Sequence, residues 1–453
     1  MKEYDVIVVG GGEVGLGIVF KALKKKLKVA LAEKGKIGGT CINVGCIPSK
    51  MLIYPADKLV EMEKAKKFGI HTQITRVDFD SIRKRMRKAV KTSHDFLEKE
   101  IRTSEGLDFY NAEGQFVSNC TFRINDQNIK GRKIFIATGA RPFIPPIKGI
   151  DEINYLTNEN VMEITEIPDS MIIIGGGYIA AEYGHFFSAL GTKVTIIEKR
   201  ERLLPHEEPE ISELLKKELA KRMKIYISAE VAEVQRNRKG YTVFLKMKNR
   251  PVQRITAGKI FLAAGRMSNA DMLKVERTGV KTDGSNYIVV DDYLQTNVKN
   301  IWALGDAIGK QMFTHAGDKE AEIAWHNATS RNKKAMDFGI VPHAVFTYPQ
   351  IASVGLTEET ARKSYEILIG KARYSDIVRG DAMGEKEGFA KAIVEKKTKM
   401  ILGFHIIGPA ASILIQEVVN AITNRSDFKS ITESMHIFPA LSELIPETLN
   451  NLE

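Results

Sequence analysis

Apolar positions along this chain follow two rhythms. Short unbroken runs, Val6-Ile7-Val8-Val9, Ile134-Phe135-Ile136-Ala137, Met171-Ile172-Ile173-Ile174 and Ile260-Phe261-Leu262-Ala263, read as buried strands of the kind found in parallel sheets. Between Arg83 and Ile101 the spacing becomes that of an amphipathic helix. Toward the C-terminus, residues 390–394 and 400–407 again read as strands, and 413–423 as an amphipathic helix. Strands alternating with helices predict an α/β chain. At 453 residues it is too long for one core and suits several domains.

Two of the runs open copies of one unit. The first passes from residues 6–9 through Gly10-Gly11-Gly12-Glu13-Val14-Gly15 to Val29-Ala30-Leu31-Ala32-Glu33. The second passes from residues 171–174 through Gly175-Gly176-Gly177-Tyr178-Ile179-Ala180 to Val194-Thr195-Ile196-Ile197-Glu198. Gly10 to Glu33 and Gly175 to Glu198 are the same offset, and strand, glycine turn, helix, strand, acid is the layout of a dinucleotide-binding unit. In such a unit Gly10 and Gly175 make the tight turn, and Gly12 and Gly177 let backbone approach a diphosphate. Gly15 and Ala180 let the helix pack closely on the strand. The diphosphate rests on the helix N-terminus, and Glu33 and Glu198 accept hydrogen bonds from ribose hydroxyls. Glu13 is out of character beside a diphosphate, so its side chain is expected to point to solvent. A second repeat, residues 133–142 against 259–266, closes each unit with a buried strand and a glycine turn, at Thr138-Gly139 and at Gly265.

Composition narrows the partners. A hydrophobic share of 43% with 27% charged residues fits a globular chain. No apolar run is long enough for a bilayer, and Met1-Lys2-Glu3-Tyr4-Asp5 enters the first strand with no leader pattern. Three cysteines cannot form an extracellular disulfide framework, so a cytoplasmic setting is expected. The net charge of +11 raises the question of nucleic acid. Its basic residues are dispersed among glutamates, however. The densest cluster, Arg83-Lys84-Arg85-Met86-Arg87-Lys88, belongs to the amphipathic stretch and reads as a solvated helix face, not a nucleic-acid or membrane surface. The basic balance still suits an acidic substrate or partner.

Two cysteines share one loop, Gly38-Gly39-Thr40-Cys41-Ile42-Asn43-Val44-Gly45-Cys46-Ile47-Pro48-Ser49-Lys50. Four residues separate them, enough for a small loop to close a disulfide. The spacing does not suit a zinc half-site and no second cysteine pair exists, so no metal site is expected. Cys120 has no partner and reads as a packing residue.

This loop resembles the redox-disulfide signature of the class I pyridine nucleotide–disulfide oxidoreductases, which include dihydrolipoamide dehydrogenase, glutathione reductase, mercuric reductase and mycothione reductase. Ile301-Trp302-Ala303-Leu304-Gly305-Asp306 resembles that family's second FAD motif. Tyr348-Pro349-Gln350-Ile351-Ala352-Ser353-Val354-Gly355 resembles the start of its dimerisation domain. The resemblance implies two doubly wound Rossmann-like nucleotide-binding domains plus a C-terminal α/β dimerisation domain. It places an FAD-binding domain over 1–149, an NAD-binding domain over 150–267, a central domain over 268–341 that completes the FAD site, and an interface domain over 342–453. FAD would be held by Gly10, Gly12, Gly15, Glu33, Gly39, Thr40, Lys50, Gly114, Thr138, Gly139 and Asp306. NAD would be held by Gly175, Gly177, Tyr178, Ile179, Glu198, Val231 and Gly265. Glu198 favours NAD over NADP, because a 2′-phosphate would meet a carboxylate, while Lys199, Arg200 and Arg202 offer such a phosphate its cations. Cys46 would be the thiolate against the flavin, and Cys41 the thiol that exchanges with substrate sulfur. Lys50 and Glu182 would pair beside flavin N5, where a cation stabilises negative charge on the reduced ring. Tyr178 resembles the aromatic gate of glutathione reductase; helix packing is its other reading.

The family's C-terminal base is altered. A His-Pro pair followed by Glu supplies it to the partner subunit, but His436-Ile437-Phe438-Pro439-Ala440-Leu441-Ser442-Glu443 puts Phe438 at the base position. His436 stands two positions early, Glu443 is in place, and in a homodimer both would cross to the partner. A positioned base contributes about 10²–10⁴-fold. Three readings follow: a dihydrolipoamide dehydrogenase-like enzyme with slow dithiol turnover, a substrate that needs no base, or a loop shift that brings His436 in. The leading expectation is a flavin-dependent oxidoreductase passing electrons between NAD(H), FAD and the Cys41–Cys46 disulfide to a small thiol or disulfide substrate. It would be dihydrolipoamide dehydrogenase-like, with a lipoyl-bearing protein as candidate partner. The alternatives are reduction of mycothione or another small disulfide, and a non-thiol acceptor such as a metal ion, a quinone or a protein. Mercuric reductase proper is disfavoured, because its C-terminal cysteine pair has no counterpart in Asn450-Asn451-Leu452-Glu453.

Overall fold

In a computed structural model, which describes all 453 residues, the first apolar run becomes the strand Lys2–Val9 within a seven-stranded sheet. On one side it pairs in parallel with Val29–Ala32, which pairs with Leu107–Tyr110; on the other it pairs in parallel with Gln127–Ile136. Ile301–Ala303 lies parallel on the far side of that strand. All four residues of Val29–Ala32 are buried, as an unbroken apolar run requires. The strand order reverses between Lys2–Val9 and Gln127–Ile136, and the crevice outside the strands' carboxyl ends at such a reversal is where ligands bind. Gly114–Ser118 and Thr121–Ile124 attach as an antiparallel meander.

The second unit repeats the scheme. Lys224–Tyr226, Lys193–Ile197, Ser170–Ile174 and Lys259–Leu262 form a parallel sheet in that order, with an antiparallel sheet of Ala229–Asn237, Gly240–Met247 and Gln253–Ala257 beside it. A ribbon of Ala140–Pro142 against Arg266–Ser268 marks where the chain leaves the first unit and returns to it.

The last segment forms a five-stranded sheet in the order His343–Val345, Gln350–Gly355, Ile401–Gly408, Phe389–Glu395 and Ile367–Arg373, every pair antiparallel. The helices Ala411–Thr423 and Leu444–Asn450 bury Ile415, Val418, Leu444 and Leu449 in its core. The amphipathic stretch becomes the helix Phe79–Thr103, capped by Asp78, whose carboxylate accepts from Ser81 N. Lys84, Arg87, Lys88 and Lys91 are exposed on it. Arg83 departs from the solvated-face reading: it is buried, with its guanidinium 5.8 Å from the centre of the Phe79 ring. No helix is long and apolar enough to cross a membrane.

Candidate active site

Both glycine turns close on the strand that ends their unit. A Cβ on Gly10 (φ +108°) would stand 2.2 Å from Ala137 O, and one on Gly175 (φ +116°) 2.1 Å from Ala263 O. Gly15 backs onto Gly10 O at a Cβ distance of 2.0 Å, so it serves helix packing. The acids fold back over the turns. Glu33 accepts from Gly11 N (2.7 Å) and Gly35 N (2.6 Å), and Glu198 accepts from Arg200 N (2.7 Å). A Cβ on Gly176 would lie 2.8 Å from Glu198 Oε2, and one on Gly11 2.5 Å from Ile37 Cδ1 and 3.0 Å from Glu33 Cβ. The middle glycines, which the motif left without a role, thus make room for the acids.

The cysteine loop is built on the first turn. Gly38 N donates to Gly11 O (2.8 Å), and a Cβ on Gly39 would meet Gly12 Cα at 2.7 Å. Cys41 then falls in the short helix Gly39–Asn43, and Cys46 is the first residue of the helix Cys46–Lys64. Both are free thiols, joined through Thr314, whose hydroxyl donates to Cys41 Sγ (3.3 Å) and lies 3.5 Å from Cys46 Sγ. The two sulfurs are inequivalent. A hydrogen bond from Cys41 brings the Cys46 thiol down to about 6, with help from Thr314 and the Lys50 charge, against its own burial and Glu182. The same bond and burial push Cys41 up. The helix N-terminus further favours anionic sulfur at Cys46.

Lys50 lies one turn after Cys46. Its ammonium pairs with Glu182 Oε2 at 2.8 Å and stands 4.8 Å from the centre of the Phe346 ring, while buried Glu182 also accepts from Phe346 N at 3.0 Å. A second link ties the same two helices: His185 Nε2 meets Asp57 Oδ1 at 2.8 Å, and Arg222 donates to His185 Nδ1 at 3.1 Å. Tyr178 opens the helix Tyr178–Ala189 on the same face as Glu182. Its hydroxyl donates to Glu207 Oε1 (3.1 Å) and lies 3.3 Å from His343 Nε2. His343 Nε2 meets Glu207 Oε1 at 2.5 Å, and Ser353 Oγ donates to Glu207 Oε2 at 2.6 Å. Burial opposes ionisation of Glu207, but the hydrogen bonds from His343 and Ser353 and the charges on His343 and His405 outweigh it and hold the carboxyl at about 2.

One cavity of 2630 Å³ runs along both turns and past both sulfurs. Lys50, Glu182, Gly10, Gly12, Glu33, Gly39, Thr40, Gly114, Thr138, Gly139 and Asp306 line it, as do Gly175, Gly177, Tyr178, Ile179, Glu198, Val231 and Gly265. Gly15 lies behind it, and His436 and Glu443 are outside it in this protomer. Glu13 is exposed but faces the cavity, where burial, Asp318 and Cys46 push its carboxyl up. Cavity and residues fit a flavin dinucleotide. Thr138 Oγ1 and Arg266 Nε are buried and find no partner within the chain, Asp306 lies 3.4 Å from Arg266 Nη2, and the open backbone of Gly177 offers the same fit to a second nucleotide. Beside Glu198, Lys199, Arg200, Lys246 and Lys248 line a smaller basic recess that does not include Arg202.

The sequence reading missed Thr314 and the Glu207–His343 pair. Neither belongs to a motif; Thr314 and His343 reach the cavity from distant parts of the chain, and buried Glu207 stands behind His343. At the C-terminus, His436 Nε2 meets Glu417 Oε1 at 2.9 Å, so the histidine that a loop shift would bring to the thiols is held by the helix Ala411–Thr423. Glu443 accepts from Ala440 N at 3.0 Å. Phe438 is 70% exposed, and it follows Met435 at 100% and Ile437 at 77%.

Residues 4–329 match the family profile described as pyridine nucleotide-disulphide oxidoreductase, and residues 341–449 match the dimerisation domain of the same family. A mercuric reductase of Staphylococcus aureus is 31% identical over 97% of this chain and 81% of its own. Mycothione reductase of Mycobacterium tuberculosis is 32% identical over 100% of both chains, and dihydrolipoyl dehydrogenase of Chlamydia trachomatis 32% over 99% of this chain and 96% of its own. Among solved structures, the HOCl-induced flavoprotein disulfide reductase RclA from Escherichia coli matches with a TM-score of 0.88 at 27% identity, covering 99% of each chain.

Proposed function

Because the chain belongs to the pyridine nucleotide–disulphide oxidoreductase family, we propose that it reduces a small disulfide whose leaving thiols are acidic, drawing electrons from a nicotinamide dinucleotide through FAD and the Cys41–Cys46 pair. The observation that carries this reading is the unequal thiol pair in the cavity shared with both glycine turns. FAD would be held by the Gly10–Gly12 turn, Glu33, Thr138 and Asp306, and the dinucleotide by the Gly175–Gly177 turn and Glu198. Bound flavin supplies the relay between a hydride donor and sulfur.

The chain's own residues account for the thiol steps. The hydrogen bond from Cys41 does most to keep Cys46 anionic, Lys50, fixed by Glu182, adds its charge, and Thr314 touches both sulfurs. Cys46 can take the Cys41 proton across their hydrogen bond, so Cys41 attacks the substrate disulfide as thiolate and expels one substrate thiolate. Cys46 then loses the proton to that leaving thiolate and attacks Cys41, forming the Cys41–Cys46 disulfide and expelling the second thiolate. The electron pair leaves with the two substrate sulfurs. One proton has travelled with them, and no base is needed if the other sulfur is stable as a thiolate. That suits a chain with Phe438 at the base position and His436 bound to Glu417.

Dithiol oxidation of the dihydrolipoyl type, with a lipoyl-bearing partner, is the second reading; the likeness to the Chlamydia trachomatis enzyme favours it. It needs a base to deprotonate the substrate. The proposal includes NAD as the preferred dinucleotide, because Glu198 lines the cavity beside the second turn and would repel a 2′-phosphate, and a twofold homodimer formed through residues 341–449. The test is a rate comparison. An aromatic disulfide with acidic leaving thiols should turn over well in wild type. An alkyl disulfide and dihydrolipoamide should turn over slowly, and Phe438→His should raise the slow reactions by about 10² or more. Wild-type oxidation of dihydrolipoamide as fast as in Phe438→His would reject the reading.

A further inference from the structure

Glu13 is the first residue of the helix Glu13–Lys24 and lines the cavity together with Cys41 and Cys46. Asp318 lies on the helix Thr314–Thr329, one turn after Thr314 and on the same face, and Thr314 touches both sulfurs. The two helices cross closely: a Cβ on Gly317 would lie 2.4 Å from Val14 Cγ2. That crossing brings together the neighbours of those two residues, Glu13 and Asp318. Both acids are exposed, so a molecule that approaches the thiols meets them. Burial, then the Asp318 and Cys46 charges, push the Glu13 carboxyl up, and no cation offsets them. Burial pushes Asp318 up against the weaker pull of His315 and Lys21. In a chain of net charge +11 this is a local reversal of sign. The overall charge acts at range and is screened beyond about 8 Å at physiological salt, whereas a substrate in contact with sulfur meets the local acids. We propose that Glu13 and Asp318 set the charge of the disulfide that reaches Cys41, admitting cationic disulfides and rejecting anionic ones.

This rests on the reading of Cys41–Cys46 as the pair that reduces a small disulfide. Like charges brought together at a contact change rates by about tenfold. Two measurements read the effect. The first is alkylation of the reduced, FAD-loaded protein, in a Cys120→Ser background, by the anion iodoacetate and by neutral iodoacetamide. In Glu13→Gln combined with Asp318→Asn, the ratio of the iodoacetate rate to the iodoacetamide rate should rise about tenfold. In Glu276→Gln, which alters an exposed acid outside the cavity, that ratio should stay as in wild type. The second is kcat/KM for three aromatic disulfides with acidic leaving thiols: anionic 5,5′-dithiobis(2-nitrobenzoate), neutral 4,4′-dithiodipyridine and the N,N′-dimethyl dication of the latter. Relative to the neutral compound, the double variant should gain about tenfold on the anion and lose about tenfold on the dication, through KM. If the double variant loses its flavin, Asp318→Asn alone, which lies off the cavity wall, decides by the same ratios. An unchanged iodoacetate ratio overturns the proposal, even where all three disulfides are reduced. A wild type that reduces none of the three overturns the disulfide reading and, with it, the selection of a substrate by charge.

Discussion

At the scale of single residues, the site works by making two chemically identical groups different. Cys46 has a helix N-terminus, a Thr314 hydroxyl and a lysine one turn away; Cys41 supplies the proton that Cys46 shares. Thiolate forms as pH rises through the thiol pKa, so alkylation of wild type should climb through pH 6. In Lys50→Met the lost cation should move that climb upward by about one unit, and in Cys46→Ser the low-pH phase should vanish. Iodoacetamide kinetics on the reduced protein read all three. Lys50 and Glu182 were legible because both sit in motif-bearing segments. Thr314 was not: it lies 268 residues from Cys46, and a threonine at the start of a helix has ordinary structural uses.

At the scale of elements, the cysteine loop and the first glycine turn are a single construction. A side chain at Gly39, whose φ is +57°, would be strained and would strike Gly12 backbone. Gly39→Ala should therefore destabilise the protein by about 1–3 kcal/mol and lower its flavin content together with its melting temperature, as absorbance and calorimetry would show. The buried Asp57–His185–Arg222 link gives a parallel case. Asp57→Ala leaves His185 without its partner and should cost about 1–3 kcal/mol in urea unfolding. The longest apolar runs and the amphipathic helices were readable from apolar period, whereas the antiparallel strands Ala229–Asn237, Gly240–Met247 and Gln253–Ala257 were not. The strands expected at 390–394 and 400–407 are Phe389–Glu395 and Ile401–Gly408, and the helix expected at 413–423 is Ala411–Thr423. Arg83 was misread because helical spacing says which face a residue is on but not that Phe79 covers it.

At the scale of the whole molecule, buried charge joins the second nucleotide unit to the last sheet. Lys391 is 3% exposed and meets Glu208 at 2.8 Å and Glu358 at 2.6 Å. Lys391→Met would strand those carboxylates and should cost about 3–5 kcal/mol in urea unfolding. Glu207 adds a pH dependence. Its folded pKa lies below its ordinary value of 4.5, so its stabilisation is complete above that value and drains away as pH falls toward about 2. Wild type should accordingly lose its advantage over Glu207→Gln as pH falls from about 4.5 to about 2, read in urea midpoints. These cross-unit contacts were illegible because no local pattern specifies a partner more than a hundred residues away. The contact between Gly12 and Gly39 reaches further than its size suggests. In the proposed function electrons enter through a segment where a side chain at Gly39 would strike its neighbour, and would leave past Phe438 and the exposed residues beside it, which carry no such constraint. A mutational library spread over the chain should therefore divide unevenly: rigid intolerance at the inlet, broad freedom at the outlet. A protein built this way can acquire a new electron acceptor without rebuilding the machinery that feeds it.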